Sequence, residues 1–334
     1  MASTVIQAFN EFMKDTVNLD SEVTKSANSS RDWLISQIAN FKSKDSDFPT
    51  SYEDINIVFG SFARKTKIRE LDDIDMMIGL SGQGSTYMTY SDRIEITVSS
   101  EAADLLKLCH ANSTSLNSKR VINKFVSACS NVPQYSSAEI KRNQEAAVLN
   151  LSSYPWSFDI VPCFITSEDN YGKSYYLIPD GSGYWKKTDP RIDKERTTRI
   201  NQNHDGNILP IIRILKYWNR RATMPTMSSY LLETMILNYY EGQQSRKAGQ
   251  FVDIEFPNVV AYIYNNIMGN VDDPKGIQGN INSMTYDERT KIKNKAAIDY
   301  HVAKAAREFE QNKDMKSSIA KWGEVFGSEF PKYN

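Results

Sequence analysis

Asp73 and Asp75 alternate with apolar residues in the run Asp73-Ile-Asp-Met-Met-Ile78, and a third acid, Asp159, stands between Phe158 and Ile160. This pattern restricts the fold more than any other in the chain. Period-two alternation is that of a strand, in which residues i and i+2 leave the same face about 6–7 Å apart. Asp73 and Asp75 therefore share a face, Ile74 enters a core from the other, and Met76 to Ile78 anchor the strand. Asp72, one position earlier, faces away from that pair. A carboxylate on an otherwise apolar strand is costly to bury without a cation or a hydrogen-bond donor. Taken alone, Asp159 reads equally well as a paired structural acid; beside Asp73 and Asp75 it reads as a third metal ligand.

A second element precedes the acids. In Asp54 to Gly60, Ile55, Ile57 and Phe59 alternate as in a strand, which runs straight into Gly60-Ser61 and a short helical piece over Phe62 to Lys67. Glycine lets the backbone approach an anion closely, and N–H groups at a helix start attract phosphate. The Ser61 hydroxyl adds a directed hydrogen bond. Neither a Gly-Ser pair nor an Asp-x-Asp strand is specific alone. Joined by a spacing of eleven residues between Ser61 and Asp73, they fit nucleotidyl transfer. That chemistry uses two divalent cations about 3.5–4 Å apart to activate a hydroxyl and stabilise pyrophosphate. Magnesium prefers oxygen ligands in octahedral array, as carboxylates supply.

Around these motifs the hydrophobic period changes twice. Val5, Phe9, Phe12 and Met13 share one helical face, and Trp33, Leu34, Ile38 and Phe41 repeat the spacing, so two helices open the chain. The first is amphipathic and does not read as a signal peptide. Glu101 to His110 reads as helix, and Ala146 to Leu151 and Ser157 to Ile165 as strands. Tyr175 to Pro190 reads as a connection because of its Pro and Gly turn signals, and Arg191 to Arg199 as a surface loop. From about Asn207 the chain is helical, with Ile208, Ile211, Ile212, Leu215 and Trp218 in one stripe and a long charged helix over Met284 to Gln311. The expected fold class is α+β: a mixed sheet with helices over residues 1–200, then a helical, substrate-binding domain over 201–334.

Composition narrows the function. Lys and Arg number 40 against 41 Asp and Glu, so the molecule lacks the basic field of a protein built to grip nucleic acid, and no DNA template is expected. The three cysteines are scattered and the three histidines isolated, which suggests neither a disulfide framework nor a zinc site. No stretch approaches the about 18 apolar residues of a membrane span. A cytoplasmic enzyme with no membrane partner is expected.

The runs Phe59-Gly-Ser-Phe-Ala-Arg-Lys-Thr66 and Leu71-Asp-Asp-Ile-Asp-Met-Met-Ile78 resemble the signature of polymerase-β-like nucleotidyltransferases. More narrowly, the chain resembles the cyclic GMP–AMP synthase/DncV-like nucleotidyltransferases (CD-NTases) of bacterial anti-phage systems. Lys141-Arg-Asn-Gln144, Ser157-Phe-Asp-Ile-Val-Pro162 and Tyr184-Trp-Lys-Lys-Thr-Asp-Pro190 support that reading. Leu209-Pro-Ile-Ile-Arg-Ile-Leu-Lys-Tyr-Trp-Asn219 followed by Ser228-Ser-Tyr-Leu-Leu-Glu233 continues the same order. The resemblance covers most of residues 50–240.

The resemblance implies a polymerase-β-like core in which Asp73, Asp75 and Asp159 bind two magnesium ions, or manganese in their place. Asp159 also serves as base for the acceptor hydroxyl. Gly60 and Ser61 hold the donor triphosphate, Lys216 and Ser229 reach its phosphates, and Tyr230 stacks on a base. The ordinary readings differ: a snorkelling lysine, a helix cap at Ser228 or Ser229, and a core tyrosine. Arg142 is expected to contact base or phosphate near Asp159, with a solvated edge charge as the plain alternative. The implied reaction joins nucleoside triphosphates, ATP or GTP first and a pyrimidine as the variant, into a cyclic di- or trinucleotide read by a separate effector protein. The alternatives are a template-independent transferase acting on RNA or a protein, and an inactive nucleotide-sensing homologue.

Overall fold

The changes of hydrophobic period correspond to real changes of architecture in the computed structural model, which describes residues 2–243 and 245–334. The strands are β1 (Ile57–Val58), β2 (Asp73–Gly79), β3 (Thr86–Thr89), β4 (Ile94–Thr97), β5 (Glu139–Asn143), β6 (Ala146–Asn150), β7 (Ser157–Ile165), β8 (Tyr176–Pro179) and β9 (Trp185–Thr188). The helices up to the middle of the chain are α1 (Val5–Phe12), α2 (Ser21–Ala39), α3 (Phe41–Lys44), α4 (Gly60–Ala63), α5 (Ala103–Leu106) and α6 (Ser118–Ser130). Then follow α7 (Pro190–Asn203), α8 (Ile208–Arg220), α9 (Ser229–Glu241), α10 (Val252–Asn266), α11 (Tyr286–Gln311) and α12 (Met315–Phe326).

The chain divides into two compact units, one of Glu22–Ala63 and Leu71–Arg191, the other of Met1–Ser21, Arg64–Glu70 and Ile192–Asn334. This division differs from a split at residue 200. Two pieces of the first half are built into the helical unit, because their apolar side chains find their core there.

The first unit is a mixed sheet in the order β1-β2-β7-β8-β9-β4-β3, with the β5–β6 hairpin attached to β7. Among the described strand pairs of this sheet, β2 and β7 run parallel and the others antiparallel. One face buries Ile74, Met76, Ile78, Phe158 and Ile160. Helix α6, with Val121, Ile122, Phe125 and Cys129 buried, packs on β5 to β8.

Parts of this sheet were not legible in the period. Tyr175 to Pro190 is the hairpin of β8 and β9, and its glycines belong to the turn: Asp180 Oδ1 accepts from the N–H groups of Ser182, Gly183 and Tyr184 at 2.8, 3.1 and 3.0 Å. The β3 arm of the hairpin of β3 and β4 leaves no trace in the hydrophobic period, since β3 is exposed at every position and shows no alternation of burial. Of Glu101 to His110, only the four residues of α5 are helical.

In the helical unit, Phe9 and Phe12 of α1 pack edge-on against Phe330, and Phe9 meets Trp322 at a centroid distance of 4.9 Å. Each such fully buried side chain contributes about 1.5–3 kcal/mol. Segment 64–70 joins the same unit, with the Arg69 N–H bonded to Val17 O at 3.0 Å. Arg191 to Arg199 is part of α7, not a loop; Pro190 occupies the first helical position, where its missing N–H costs nothing. Its mixed charges hide a narrow buried edge at Thr197 and Ile200. Among the described residues, no helix is long and apolar enough to cross a membrane.

Candidate active site

The parallel pairing of β2 and β7 sets Asp75 directly opposite Asp159 and Asp73 opposite Ser157. Strands so paired lie about 4.8 Å apart, and residues in register project to the same side. The three acids therefore share one sheet face and are half-buried, while their neighbours Ile74, Met76, Phe158 and Ile160 point into the core on the other face. Further along the acidic face, Met77, Val161 and Cys163 close into a small apolar cluster with Ile55, Ala146, Val148 and Tyr176. The acids thus mark the edge where an apolar surface gives way to solvent.

Gly60 stands directly over this edge. Strand β1 pairs with β2 through Ile57 opposite Met77 and Val58 opposite Met76, and the Phe59 N–H donates to Asp75 O at 3.1 Å. The chain then turns at Gly60 with φ +70°, and a Cβ built there would fall 1.8 Å from Asp75 Oδ2. Only glycine satisfies both the left-handed backbone and the contact. Ser61 follows in the single turn of α4. Carboxylate oxygens of this kind suit a hard divalent cation, and the shared face supplies the positions. Among the described residues, no three His, Cys, Asp or Glu side chains are already gathered into a metal cage.

Arg142 lies elsewhere. β6 separates its strand from β7, and the register runs Arg142, Ala147, Ile160, Met76 across the sheet. That row belongs to the face opposite the acids, and Arg142 Nη1 donates to Asn123 Oδ1 on α6 at 3.2 Å. The expected proximity to Asp159 overlooked the intervening strand and the alternation of the pleat. Lys141, one residue earlier, is in the row of Val148, Asp159 and Asp75.

The helical unit carries Lys216, Ser229 and Tyr230. Lys216 does not snorkel: it is 6% exposed, and its Nζ is 2.6 Å from Glu233 Oε1. Arg64 donates to the other Glu233 oxygen from Nη2 and Nε at 3.1 and 3.2 Å, and Thr66 Oγ1 donates to Oε1 at 3.1 Å. Burial opposes charge on Glu233, yet Arg64 and Lys216 outweigh it and hold the carboxyl below the usual range. Burial pushes the Lys216 ammonium down, against the pull of Glu233. Glu233 and Arg64 were not singled out in the sequence, although an acid in the apolar run Tyr230-Leu-Leu-Glu-Thr-Met is the same signal that exposed Asp159.

At the start of α9, Ser228 is the cap, accepting the Leu231 N–H at 3.2 Å, and Ser229 is the exposed first helical residue. The Tyr230 hydroxyl donates to Asp273 Oδ1 at 2.5 Å and lies 3.1 Å from Asp193 Oδ1. The structure thus collects Gly60, Ser61, Asp73, Asp75 and Asp159 in the sheet unit, and Lys216, Ser229 and Tyr230 in the helical unit.

Over all 334 of its residues the chain is 46% identical to the probable cyclic nucleotide synthase of Bacillus cereus strain VD146, covering 100% of this chain and 99% of that protein. The chain belongs to the cyclic GMP–AMP synthase/DncV-like nucleotidyltransferases. This CD-NTase is also 28% identical, over 186 residues, to a cyclic AMP-AMP-AMP synthase of an Acinetobacter species, 52% of this chain and 50% of that one. No protein-family model matches it. Among solved structures, the CD-NTase fold resembles CdnC of E. coli MS115-1, seen in complex with HORMA-deltaN and with ATP. The TM-score is 0.70 for both, at 16% and 15% identity over 98% of either chain. It also resembles the cyclic AMP-GMP synthase DncV of Vibrio cholerae, with TM-score 0.57 and 12% identity over 83% of this chain and 69% of that one. The CD-NTase core is accordingly polymerase-β-like, and the protein is a nucleotidyltransferase.

Proposed function

We propose that this enzyme condenses nucleoside triphosphates into a cyclic di- or trinucleotide second messenger, with release of pyrophosphate, in the cytoplasmic anti-phage defence of a bacterium. The observation that carries the reading is the in-register pair Asp75 and Asp159 beneath the Gly60 turn. Asp73, Asp75 and Asp159 hold magnesium, which supplies Lewis-acid activation of the acceptor hydroxyl and charge stabilisation at the leaving pyrophosphate. Gly60 and Ser61 receive the donor triphosphate, Lys216 and Ser229 contact its phosphates, and Tyr230 stacks on a base. Asp159 takes the proton of the attacking hydroxyl as its oxygen bonds to the donor α-phosphorus and the bond to pyrophosphate breaks. A second transfer, from the free hydroxyl of the linear intermediate, closes the ring. The names of the Bacillus and Acinetobacter relatives support a cyclic product, and the ATP bound to CdnC supports triphosphate substrates. A separate effector protein reads the product.

The test is incubation of the purified protein with magnesium and labelled ATP, GTP, CTP and UTP, singly and in pairs. A phosphatase-resistant product that disappears with EDTA is expected, with manganese restoring it. A linear tail, or product only when RNA is added, overturns the reading.

A further inference from the structure

The segment from Asn270 to Asn282 is folded around one carboxylate. Asp273, 5% exposed, accepts the backbone N–H groups of Lys275, Ile277 and Gln278 at 3.1, 3.1 and 2.9 Å. Its own N–H bonds to Gly279 O at 2.7 Å, and its carbonyl accepts from the Gly276 N–H at 2.8 Å. Gly276 and Gly279 take φ +67° and +66° to close the loop. A loop so completely bonded within itself has no need of a partner on α9. Nevertheless Asp273 Oδ1 accepts from the Tyr230 hydroxyl at 2.5 Å. Lys275 of the same loop lies 4.2 Å over the Tyr230 ring centroid and 3.1 Å from Asp193 Oδ2 on α7. The ring is therefore held at its tip by Asp273 at the shorter distance, with Asp193 Oδ1 of α7 also 3.1 Å from the hydroxyl, and is covered on one face by a nearly buried ammonium.

A tyrosine with a cation on one face has a single face left for a flat ligand. Fixing the hydroxyl also removes the rotamer freedom that stacking would otherwise have to immobilise. We infer that the 270–282 loop is the positioning element for Tyr230, with Asp273 fixing the ring and Lys275 leaving one face for the nucleoside base. The inference rests on the reading of Tyr230 as base platform. Asp273 and Lys275 act through the ring as positioning residues, and the loop tunes nucleotide affinity and base preference.

Steady-state kinetics of the full chain on its nucleoside triphosphates test this with Tyr230→Ala, Tyr230→Phe, Asp273→Asn, Lys275→Met and the Tyr230→Phe/Asp273→Asn double variant. Loss of stacking in Tyr230→Ala is expected to raise KM about 10-fold or more. Tyr230→Phe and Asp273→Asn each raise KM about 3-fold or more at nearly constant kcat, and the double variant no further than Tyr230→Phe alone, which already loses the contacts to both Asp273 and Asp193. Lys275→Met shifts the relative KM values among the four nucleotides. Tyr230→Phe breaks no bond within the loop, so it reports positioning even if Asp273→Asn fails to fold. If Tyr230→Ala raises KM while Tyr230→Phe and Asp273→Asn do not, the platform stands and the inference falls. An unchanged KM in Tyr230→Ala removes the platform reading itself. Lowered melting temperature and kcat with KM unmoved in Tyr230→Phe and Asp273→Asn reduces the loop to a structural brace and also overturns the inference.

Discussion

The Cα of Gly60 passes so close to Asp75 that an added Cβ would lie 1.8 Å from the carboxylate oxygen Oδ2. The same glycine has φ +70°, a conformation that costs an L-residue roughly 1–2 kcal/mol. Gly60→Ala is expected to displace both the turn and the acid. A misplacement of about 1 Å at a reacting centre costs on the order of 100-fold in rate. Product formation should fall by that factor or more, while circular dichroism still reports a folded sheet. An alanine variant with full activity would show that the close approach has no part in the chemistry.

Asp75 and Asp159 face each other across β2 and β7. Asp75→Asn and Asp159→Asn each keep the shape and remove one charge. Losing even an outer partner of a metal site typically costs about 10–100-fold, so on the magnesium-binding role proposed for this pair each variant should cost at least the upper figure in product formation. Stability should hold or rise slightly, because like charges on neighbouring strands repel. A large drop in melting temperature together with retained activity would mark the pair as structural.

Glu233 joins Arg64, Lys216 and Thr66 in one buried network. Removing the shared acid leaves two cations without their partner, and breaking such a buried pair costs about 3–5 kcal/mol. Glu233→Gln is expected to lose stability of that order in chemical denaturation. Lys216→Met should cost less, since Arg64 and Thr66 remain on Glu233, yet lower activity more than its stability loss explains. Equal stability losses for the two variants would contradict the network as described.

Asp104 gives a pH dependence with a definite sign. Burial raises its pKa, but hydrogen bonds from Lys42, Thr50 and Gln83 prevail and bring it from 3.8 down to about 2. Its stabilising contribution is complete above the ordinary value and is lost as pH falls toward the depressed one. Asp104→Asn should therefore be less stable than the unmutated chain near neutral pH, and the gap should narrow between about pH 4 and pH 2. Thermal melts across that range check it; a gap that widens on acidification refutes the assignment.

The acidic strand and the glycine turn were legible because each depends on local rules. Alternation assigns Asp73 and Asp75 to one face whatever surrounds them, and a Gly-Ser pair after a strand signals a tight approach. Glu233 carried the same signal as Asp159, yet its partners Arg64 and Thr66 are about 170 residues away in sequence. Arg142 illustrates the opposite case: neighbouring strand candidates suggest proximity to Asp159, whereas β6 lies between them and Arg142 is an exposed charge on an edge strand, the plain alternative. The hairpin of β8 and β9 hid behind its own turn residues, and β3 has no buried face to betray it.

From side-chain order alone come an α+β chain, three carboxylates on apolar strands, a glycine turn before them and a helical second half. These follow from side-chain period, turn chemistry and the cost of burying charge, all of which act over a few residues. Only the tertiary structure decided the parallel register that pairs Asp75 with Asp159, the face to which Arg142 belongs, the burial of Lys216 on Glu233, and the loop that grips Tyr230. Each of those depends on which distant segments share a surface, and the pattern within any one segment does not contain that information.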